Sequence, residues 1–392
     1  MLQMGVVGAP NKGKSTFFAA ATLVDVPIAD YPFTTIEANR GVTFVRAECP
    51  HKALGLAGCN ARNSRCVDGV RLIPTTLIDV AGLVPGAHLG RGMGNAFLSD
   101  VGKANALIQV VDASGRTDLE GRPCERCDPG EEVRMLEGEV AAWIASILRR
   151  AWPKIRGKGA AELEGTLSGL GIARSDIEKA AEACHLSVMG INWSEADILA
   201  FAAALRQASK PVIIAANKID LDGAADNLAG LRRAFPDKKI FPCFAEGELA
   251  LRRAAEKGLV KYVPGDPDFR ITGSASERQV AALESIRSVM RRHGGTGVQP
   301  LINEAAFSLL NLIVVYPVED EHKLADHFGS ILPDALLLPR GSTVLDLAGK
   351  IHSDLAAHFI HAIDCRTQMR VGREHVLRDG DVIKIVSGKA SK

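Results

Sequence analysis

The run Gly8-Ala9-Pro10-Asn11-Lys12-Gly13-Lys14-Ser15 has the spacing G-x-x-x-x-G-K-[ST], a phosphate-gripping pattern with a physical basis. Its glycines let backbone N–H groups turn toward phosphate oxygens, and a helix starting directly after it adds positive potential. Lys14 is placed to reach β- and γ-phosphates, and the Ser15 hydroxyl suits Mg²⁺. Asp79-Val80-Ala81-Gly82 supplies a carboxylate for a Mg²⁺-bound water and, in Gly82, a backbone N–H for a γ-phosphate. In Asn217-Lys218-Ile219-Asp220, Asp220 can accept from guanine N1–H and its exocyclic amine while the Lys218 stem covers the ring. Adenine lacks that donor pair. Each short motif is common alone, but three in this order multiply into a strong signal.

Such motifs work together only if one edge of a sheet collects them. Four apolar, β-rich runs have the character of buried parallel strands: Met4 to Val7, Thr75 to Asp79, Ala106 to Asp112 and Val212 to Ala216, with a fifth from Lys239 to Phe244. Three of them lead into the three motifs. Helical patterns lie between most of these runs, starting with Thr16 to Ala21, so the expected class is α/β, a doubly wound, mostly parallel sheet with right-handed crossovers. Ligands of such sheets bind beyond the strands' carboxyl ends.

From about Glu131 to Leu205 the alternation stops, and Val133, Leu136, Val140, Trp143, Ile144 and Ile147 recur at helical spacing. Ser175 with Glu178 and Ser194 with Asp197 have N-terminal capping spacing, so two further helices are expected to start there. The 138 positions separating Asp79 from Asn217 leave room for an inserted lobe of three or four helices. Near the C-terminus the pattern becomes short strands with turns: Asn311 to Tyr316, Ser342 to Thr343, and Val382 to Val386. The expected organisation is a nucleotide-binding domain from residues 1–130 and 206–300, a helical insert at 131–205, and a small α+β domain at 301–392.

Composition sets limits on partners. A chain of 392 residues with 47 Lys+Arg and 46 Asp+Glu has a net charge of +1, so no overall field recruits nucleic acid or a membrane. No apolar run approaches the roughly 18 residues that span a bilayer, and the N-terminus has the pattern of a first strand and its turn rather than a signal peptide. A cytoplasmic protein without membrane contact is expected. Aromatic residues, at 5 %, are too few for a base-stacking platform. Residues 251–300 hold nine Lys+Arg against five Asp+Glu and end in Arg291, Arg292 and His293, which is the pattern of a solvated helix face or, more sharply, of a phosphate-contacting patch.

The motifs resemble the G1, G3 and G4 boxes of P-loop GTPases. Tyr31-Pro32-Phe33-Thr34-Thr35, the Leu83-Val84-Pro85-Gly86-Ala87 run after Gly82, and Gly90-Arg91-Gly92-Met93-Gly94-Asn95-Ala96-Phe97-Leu98 narrow the likeness to the Obg family. Within it, Asn95 to Leu98 and the long insert resemble the YchF-type, Obg-like branch. Gly341 to Leu347 and Leu377 to Ile383 resemble a C-terminal TGS domain, which is β-grasp-like. The resemblance implies that Gly8, Ala9, Pro10, Asn11, Lys12, Gly13, Lys14, Ser15 and Thr16 wrap the phosphates, and that Ser15, Thr35 and Asp79 serve Mg²⁺. It makes Thr35 the switch I threonine and Phe244-Ala245-Glu246 a degenerate G5 loop, with Ala245 N–H near guanine O6. YchF-like proteins often have Glu in the fourth G4 position and prefer ATP; Asp220 stands there in this chain, which points to GTP.

Leu83 occupies the place where Ras-like enzymes carry a water-orienting Gln, so chemistry must rely on something else. In related families an Asn at the place of Asn11 helps hold a K⁺, and the resemblance therefore implies slow, K⁺-stimulated hydrolysis with Asn11, Lys14, Thr35 and Gly82 in the catalytic roles. His88, five positions past Leu83, has the character of a loop residue. The family further implies a monomeric, nucleotide-dependent switch whose partner is the ribosome or a translation-linked RNA. Two alternatives stay open: a scaffold stabilised by nucleotide with negligible turnover, and an Obg-like ATPase.

Eight cysteines are too dilute for a disulfide framework and are expected to be mostly reduced. Cys49, His51, Cys59 and Cys66 fall within one 18-residue stretch and Cys124-x-x-Cys127 adds a pair, so a structural Zn²⁺ is conceivable, but the spacing is not that of paired zinc knuckles and reduced thiols on a loop are the simpler expectation. His322, His327, His352, His358, His361 and His375 lack a ligand-like register. Trp143, Trp152 and Trp193 belong to the helical stretch and are expected to anchor its core.

Overall fold

A computed structural model of the chain describes residues 2–22, 39–80, 82, 85–89, 100–273 and 275–388. Tyr31 to Thr35, Leu83, and Gly90 to Leu98, on which the switch assignments rest, lie outside the described residues. By contacts the chain forms two units, one from residues 1–27, 35–43 and 76–301, the other from 28–34, 44–75 and 302–392.

The first unit carries the parallel sheet. Its strands are β1 (Gln3–Val7), β2 (Arg40–Glu48), β3 (Arg65–Val67), β4 (Val70–Asp79), β5 (Ala106–Asp112), β6 (Val212–Asn217) and β7 (Ile240–Pro242), in the order β2-β4-β1-β5-β6-β7 with β3 hairpinned to β4. β3, the end of β2 and the start of β4 belong to the second unit, by continuity of the chain. Helix α1 (Lys14–Thr22) follows β1 directly. The register pairs Val6 with Asp79, Val7 with Gln109, and Asp112 with Asn217, so the carboxyl ends of β1, β4, β5 and β6 form one edge. Every residue of β5 is buried, as both-face coverage of a central strand requires. β7 is shorter than the expected Lys239 to Phe244, because Cys243 and Phe244 leave the ladder to open the next helix.

The inserted lobe holds α2 (Pro129–Ile155), α3 (Ala160–Leu167), α4 (Arg174–Ala183) and α5 (Glu195–Ser209). Asp128 caps α2 by accepting from Gly130 N–H at 2.8 Å, with Pro129 in the first turn where its missing donor costs nothing. The predicted stripe is the buried one: Val133, Leu136, Val140, Trp143 and Ile144 are all under 9 % exposed. Full burial of each large aliphatic contributes about 1.5–3 kcal/mol. Trp193 packs on Phe201 with centroids 4.5 Å apart and on Trp152 at 6.4 Å, as core anchors do. Ser194 caps α5 as expected. Ser175 does not cap α4, which starts at Arg174 with the Asp176 carboxylate accepting from Ala173 N–H at 3.0 Å.

Beyond β6 come α6 (Ala224–Ala234), α7 (Ala245–Glu256), a two-stranded pair of β8 (Val260–Lys261) and β9 (Arg270–Ile271), α8 (Glu277–His293) and α9 (Val298–Glu304). The basic stretch is partly neutralised from within. Arg252 pairs with buried Glu248 at 2.8 Å and Arg287 with Asp268 at 2.7 Å, leaving Arg291 and Arg292 exposed in the last turn of α8.

In the second unit, β10 (Leu312–Val318), β11 (Leu336–Pro339), β12 (Phe359–Asp364), β13 (Met369–Val371) and β14 (Val382–Ser387) form a sheet ordered β11-β10-β14-β12-β13, with α10 (Val344–Ile351) and α11 (Ser353–Ala357). β10 shows strand periodicity on both faces: Ile313 and Val315 join Leu347 and Ile383, while Val314, Tyr316 and Val318 join Leu332 and Val382. Ser342 and Thr343 are not a strand; Thr343 caps α10, its N–H given to Asp346 at 2.7 Å. Residues 44–75 contact the C-terminal segment, a grouping that nothing in the hydrophobic pattern announced.

Candidate functional site

All described site residues belong to the first unit. Gly8 is required where the chain leaves β1, because a Cβ there would stand 2.6 Å from the Val110 carbonyl oxygen of β5. Gly13 has φ +86° and a Cβ would collide with the Asn217 amide nitrogen. The glycine thus lets the later motif approach the loop.

Asn217 ties three segments together. Its Nδ2 donates to Lys12 O at 3.1 Å and its Oδ1 accepts from Ala245 N–H at 3.1 Å. The first, fourth and fifth candidate boxes therefore share one buried amide. The Ala245 N–H, which the resemblance directs to a purine oxygen, is turned to Asn217 in this structure. Asp220 is half-buried on the loop after β6, and Glu246 is exposed in the first turn of α7. Lys218 sits at φ +61° and is held there by two bonds, to Asn11 O and to Asp112 Oδ2, each 2.9 Å. Burial opposes the charge on Asp112, but hydrogen bonds from Ser114, Thr117 and Lys218 outweigh it and hold the carboxyl below the usual range.

On the phosphate side Lys14 forms an ion pair with Asp79, the last residue of β4. Lys14 and Asp79 are thus brought into direct contact, and Ser15 lies exposed beside them in the first turn of α1. A hydroxyl and a carboxylate are hard oxygen donors that fit Mg²⁺. A cation held by Asp79 would release Lys14 toward an anion, so the pair suits exchange for magnesium and phosphate.

The sequence singles out Lys12, Asn11 and His88 but carries no sign of what each is bonded to. Lys12, fully buried, donates to Thr117 O at 2.9 Å, Thr117 Oγ1 at 2.8 Å and Asp118 O at 2.8 Å, and lies 2.9 Å from Glu132. Asn11, at φ +62°, donates its side-chain N–H to Gly121 O at 2.9 Å. The loop after β5 therefore braces the phosphate loop, chiefly through carbonyls that carry no residue-type signature. That loop contains a Cys124–Cys127 disulfide, Cα atoms 6.2 Å apart, where the sequence led to reduced thiols. His88 is also not a loose loop residue. Its N–H and ring Nδ1 meet Glu139 of α2 at 3.0 and 2.6 Å, and Gly86 N–H meets the same carboxylate at 2.6 Å.

Burial pushes the Glu132 carboxyl up to about 7 against the pull of Lys12. The folded chain then keeps a proton that the unfolded chain releases near pH 4.5, so this group's contribution to stability falls as pH rises through that window. Melting temperatures of the wild type and of Glu132→Gln, compared from about pH 5 to about pH 8, are expected to show the steeper decline in the wild type. Parallel curves would remove the elevated carboxyl.

Comparison with known proteins finds three family models in order along the chain: a 50S ribosome-binding GTPase over residues 3–137, an Obg-like GTPase YGR210-like, G4 motif-containing domain over 215–320, and a TGS domain over 329–387. A GTP-binding protein of Methanocaldococcus jannaschii is 48 % identical over 99 % of both chains. The crystal structure of a GTP binding protein from Pyrococcus horikoshii superposes with a TM-score of 0.81 at 38 % identity, covering 99 % of this chain and 100 % of that one. The ribosome-binding ATPase YchF of Escherichia coli O157:H7 is 25 % identical over 97 % of this chain and 98 % of its own.

Proposed function

The chain belongs to the Obg-like, YchF-type P-loop GTPases with a C-terminal TGS domain, and from that premise we propose that it is a GTP-specific switch that hydrolyses its nucleotide slowly and engages the ribosome. The observation that carries the reading is the Asn217 bridge, which fixes the loop bearing Asp220 against the phosphate loop bearing Lys14. One nucleotide then spans both: Lys14 and Ser15 at the phosphates, Asp220 at the donor edge of guanine, the Lys218 stem along the ring.

Ser15, Asp79 and Thr35 are the residues that would hold Mg²⁺, which neutralises phosphate charge when bound. In this reading the domain expected at residues 1–130 and 206–300, apart from the 44–75 stretch that groups with the C-terminal segment, handles the nucleotide, while residues 251–300, the insert at 131–205 and the domain at 301–392 present surfaces to the partner. Glu139 lies 3.0 Å or less from donors of Gly86 and His88, so a change in that loop on nucleotide binding reaches α2 without a further relay. Ribosome engagement is supported by the likeness to the 50S ribosome-binding GTPase family and to the ribosome-binding ATPase of Escherichia coli. That relative is described as an ATPase, which favours a second reading for base choice; Asp220 argues for guanine here.

Multiple-turnover phosphate release, with and without purified ribosomes, tests the switch. Stimulation of at least about tenfold is expected, and nucleotide-dependent ribosome binding with no phosphate release would instead support a scaffold. Turnover in K⁺ is expected to exceed that in Na⁺ through added positive charge near Asn11. Equal rates would remove that role from Asn11.

A further inference from the structure

Cys49, His51, Cys59 and Cys66 belong to the second unit, whereas every described residue of the candidate nucleotide site belongs to the first. The structure brings them together, contrary to the expectation of loose thiols: one ligand atom from each lies within 4.8 Å of all the others. Cys49 Sγ is 3.7 Å from Cys59 Sγ, and Cys66 Sγ is 3.8 Å from His51 Nδ1. A tetrahedron with Zn–S of about 2.3 Å and Zn–N of about 2.0 Å has sulfur–sulfur edges of about 3.8 Å and sulfur–nitrogen edges of about 3.5 Å. Both measured separations sit close to those edges. We propose that these four residues form a structural Zn²⁺ site of the Cys₃His type.

The charge balance around the cluster supports the same conclusion. Arg71 is fully buried, and Cys66 faces it across the β3–β4 hairpin. Its Nη1 donates to Cys59 Sγ at 3.2 Å and Cys49 Sγ at 3.8 Å, its Nη2 donates to Leu332 O, and its guanidinium stands 5.6 Å from the Tyr316 ring centre. Among the described residues no carboxylate pairs with it. A buried cation requires compensating charge. Zn²⁺ with three thiolates and a neutral imidazole carries −1, directly at the atoms to which Arg71 donates. Such N–H···S bonds are the usual outer support of zinc-bound thiolate. Metal entry releases the three thiol protons to solvent and needs no oxidant.

The cluster also has something to hold. Residues 49–64 run between β2 and β3 without regular secondary structure, longer than the roughly 12–15 residues that such connections usually reach. The stretch is stitched to the C-terminal segment by Asn60 N–H to Ile331 O at 2.8 Å and Arg62 N–H to Pro333 O at 2.7 Å. Cys49 and Cys66 mark its two ends and Cys59 its middle. One ion joined to all three would fix the loop, whose Leu54 and Leu56 are only partly buried against the core of the second unit.

Full-length protein purified under reducing conditions, without added metal or chelator, is expected to carry about one zinc per chain by elemental analysis. A mercurial thiol reagent should release it, as read by a zinc-sensitive dye. Cys66→Ser and His51→Ala are each expected to lose most of the metal. Cobalt exchanged into the wild type should show the intense d–d bands of a tetrahedral site together with a thiolate-to-metal charge-transfer band, a readout that does not depend on variants folding. Wild-type protein without zinc that also gives no charge-transfer band with cobalt would overturn the site. So would zinc retained at full stoichiometry in well-folded Cys66→Ser.

Discussion

Asp220→Ala is expected to weaken GTP binding about 100-fold while leaving ATP binding within about threefold of its wild-type value. In the proposed reading Asp220 would offer two carboxylate oxygens to two guanine donors, and hydrogen bonds to a charged group are worth about 1.5–3 kcal/mol each. Part of that is recovered by water once the side chain is gone, since the carboxylate is only half-buried. A net loss near 3 kcal/mol, or about 100-fold, is what remains. Adenine presents an acceptor at N1 and has no amine at C2, its one amine standing on C6 at the other side of N1, so ATP lacks the donor pair that Asp220 would accept from and has little to lose. Calorimetric titration of both nucleotides into both proteins measures the four affinities, and an equal drop for GTP and ATP would mean that Asp220 supports the loop rather than reading the base.

Lys14→Ala has the second large effect, and its value lies in what it leaves alone. The amine reaches toward Asp79 on a partly exposed edge, with side-chain exposures of 14 % and 26 %. An ion pair so placed contributes about 1 kcal/mol or less to stability, so the melting temperature should fall by no more than a few degrees. Binding is a different matter. A triphosphate concentrates its charge where Lys14 would stand, and loss of that contact is expected to reduce GTP affinity at least about 100-fold, with the diphosphate affected less than the triphosphate if the amine spans β- and γ-oxygens. Thermal unfolding and nucleotide titration on the same preparation separate the two outcomes. Retained affinity in Lys14→Ala would remove the phosphate loop from its assigned role.

What could be seen in the sequence follows from how locally each feature is encoded. Ala106 to Asp112 is legible to the residue, because a fully buried strand is a mostly apolar run, here interrupted only by Gln109 before its terminal Asp112. The stripe of α2 was equally plain. Thr343 shows the limit of such reasoning: the pattern of short strands with turns points to a strand at Ser342 to Thr343, but the Thr343 side chain and Asp346 close a capping box, and those bonds decide the local structure. β3, with three half-buried residues, offers too little periodicity to register.

The site divides along the same line. Lys14, Asp79, Asn217 and Asp220 announced themselves by residue type and order, and the structure places them at the ends of β1, β4 and β6. Thr117 O, Asp118 O and Gly121 O brace the phosphate loop with backbone carbonyls, which any residue possesses. Glu132 and Glu139 lie on the long insert helix, where two acids among several carry no mark of what they face. The cysteine cluster stands out in the sequence as a close group of four, but its spacing is not that of a known zinc knuckle, because the four residues are separated by a hairpin and an irregular loop and converge only in three dimensions.

Direct competition between GTP and ATP for the wild-type chain, measured by calorimetry in magnesium, tests most directly whether the carboxylate after β6 selects the base. GTP is expected to bind at least about 100-fold more tightly than ATP. ATP binding as tightly as GTP, or more tightly, would contradict guanine recognition by Asp220 and with it the proposed switch.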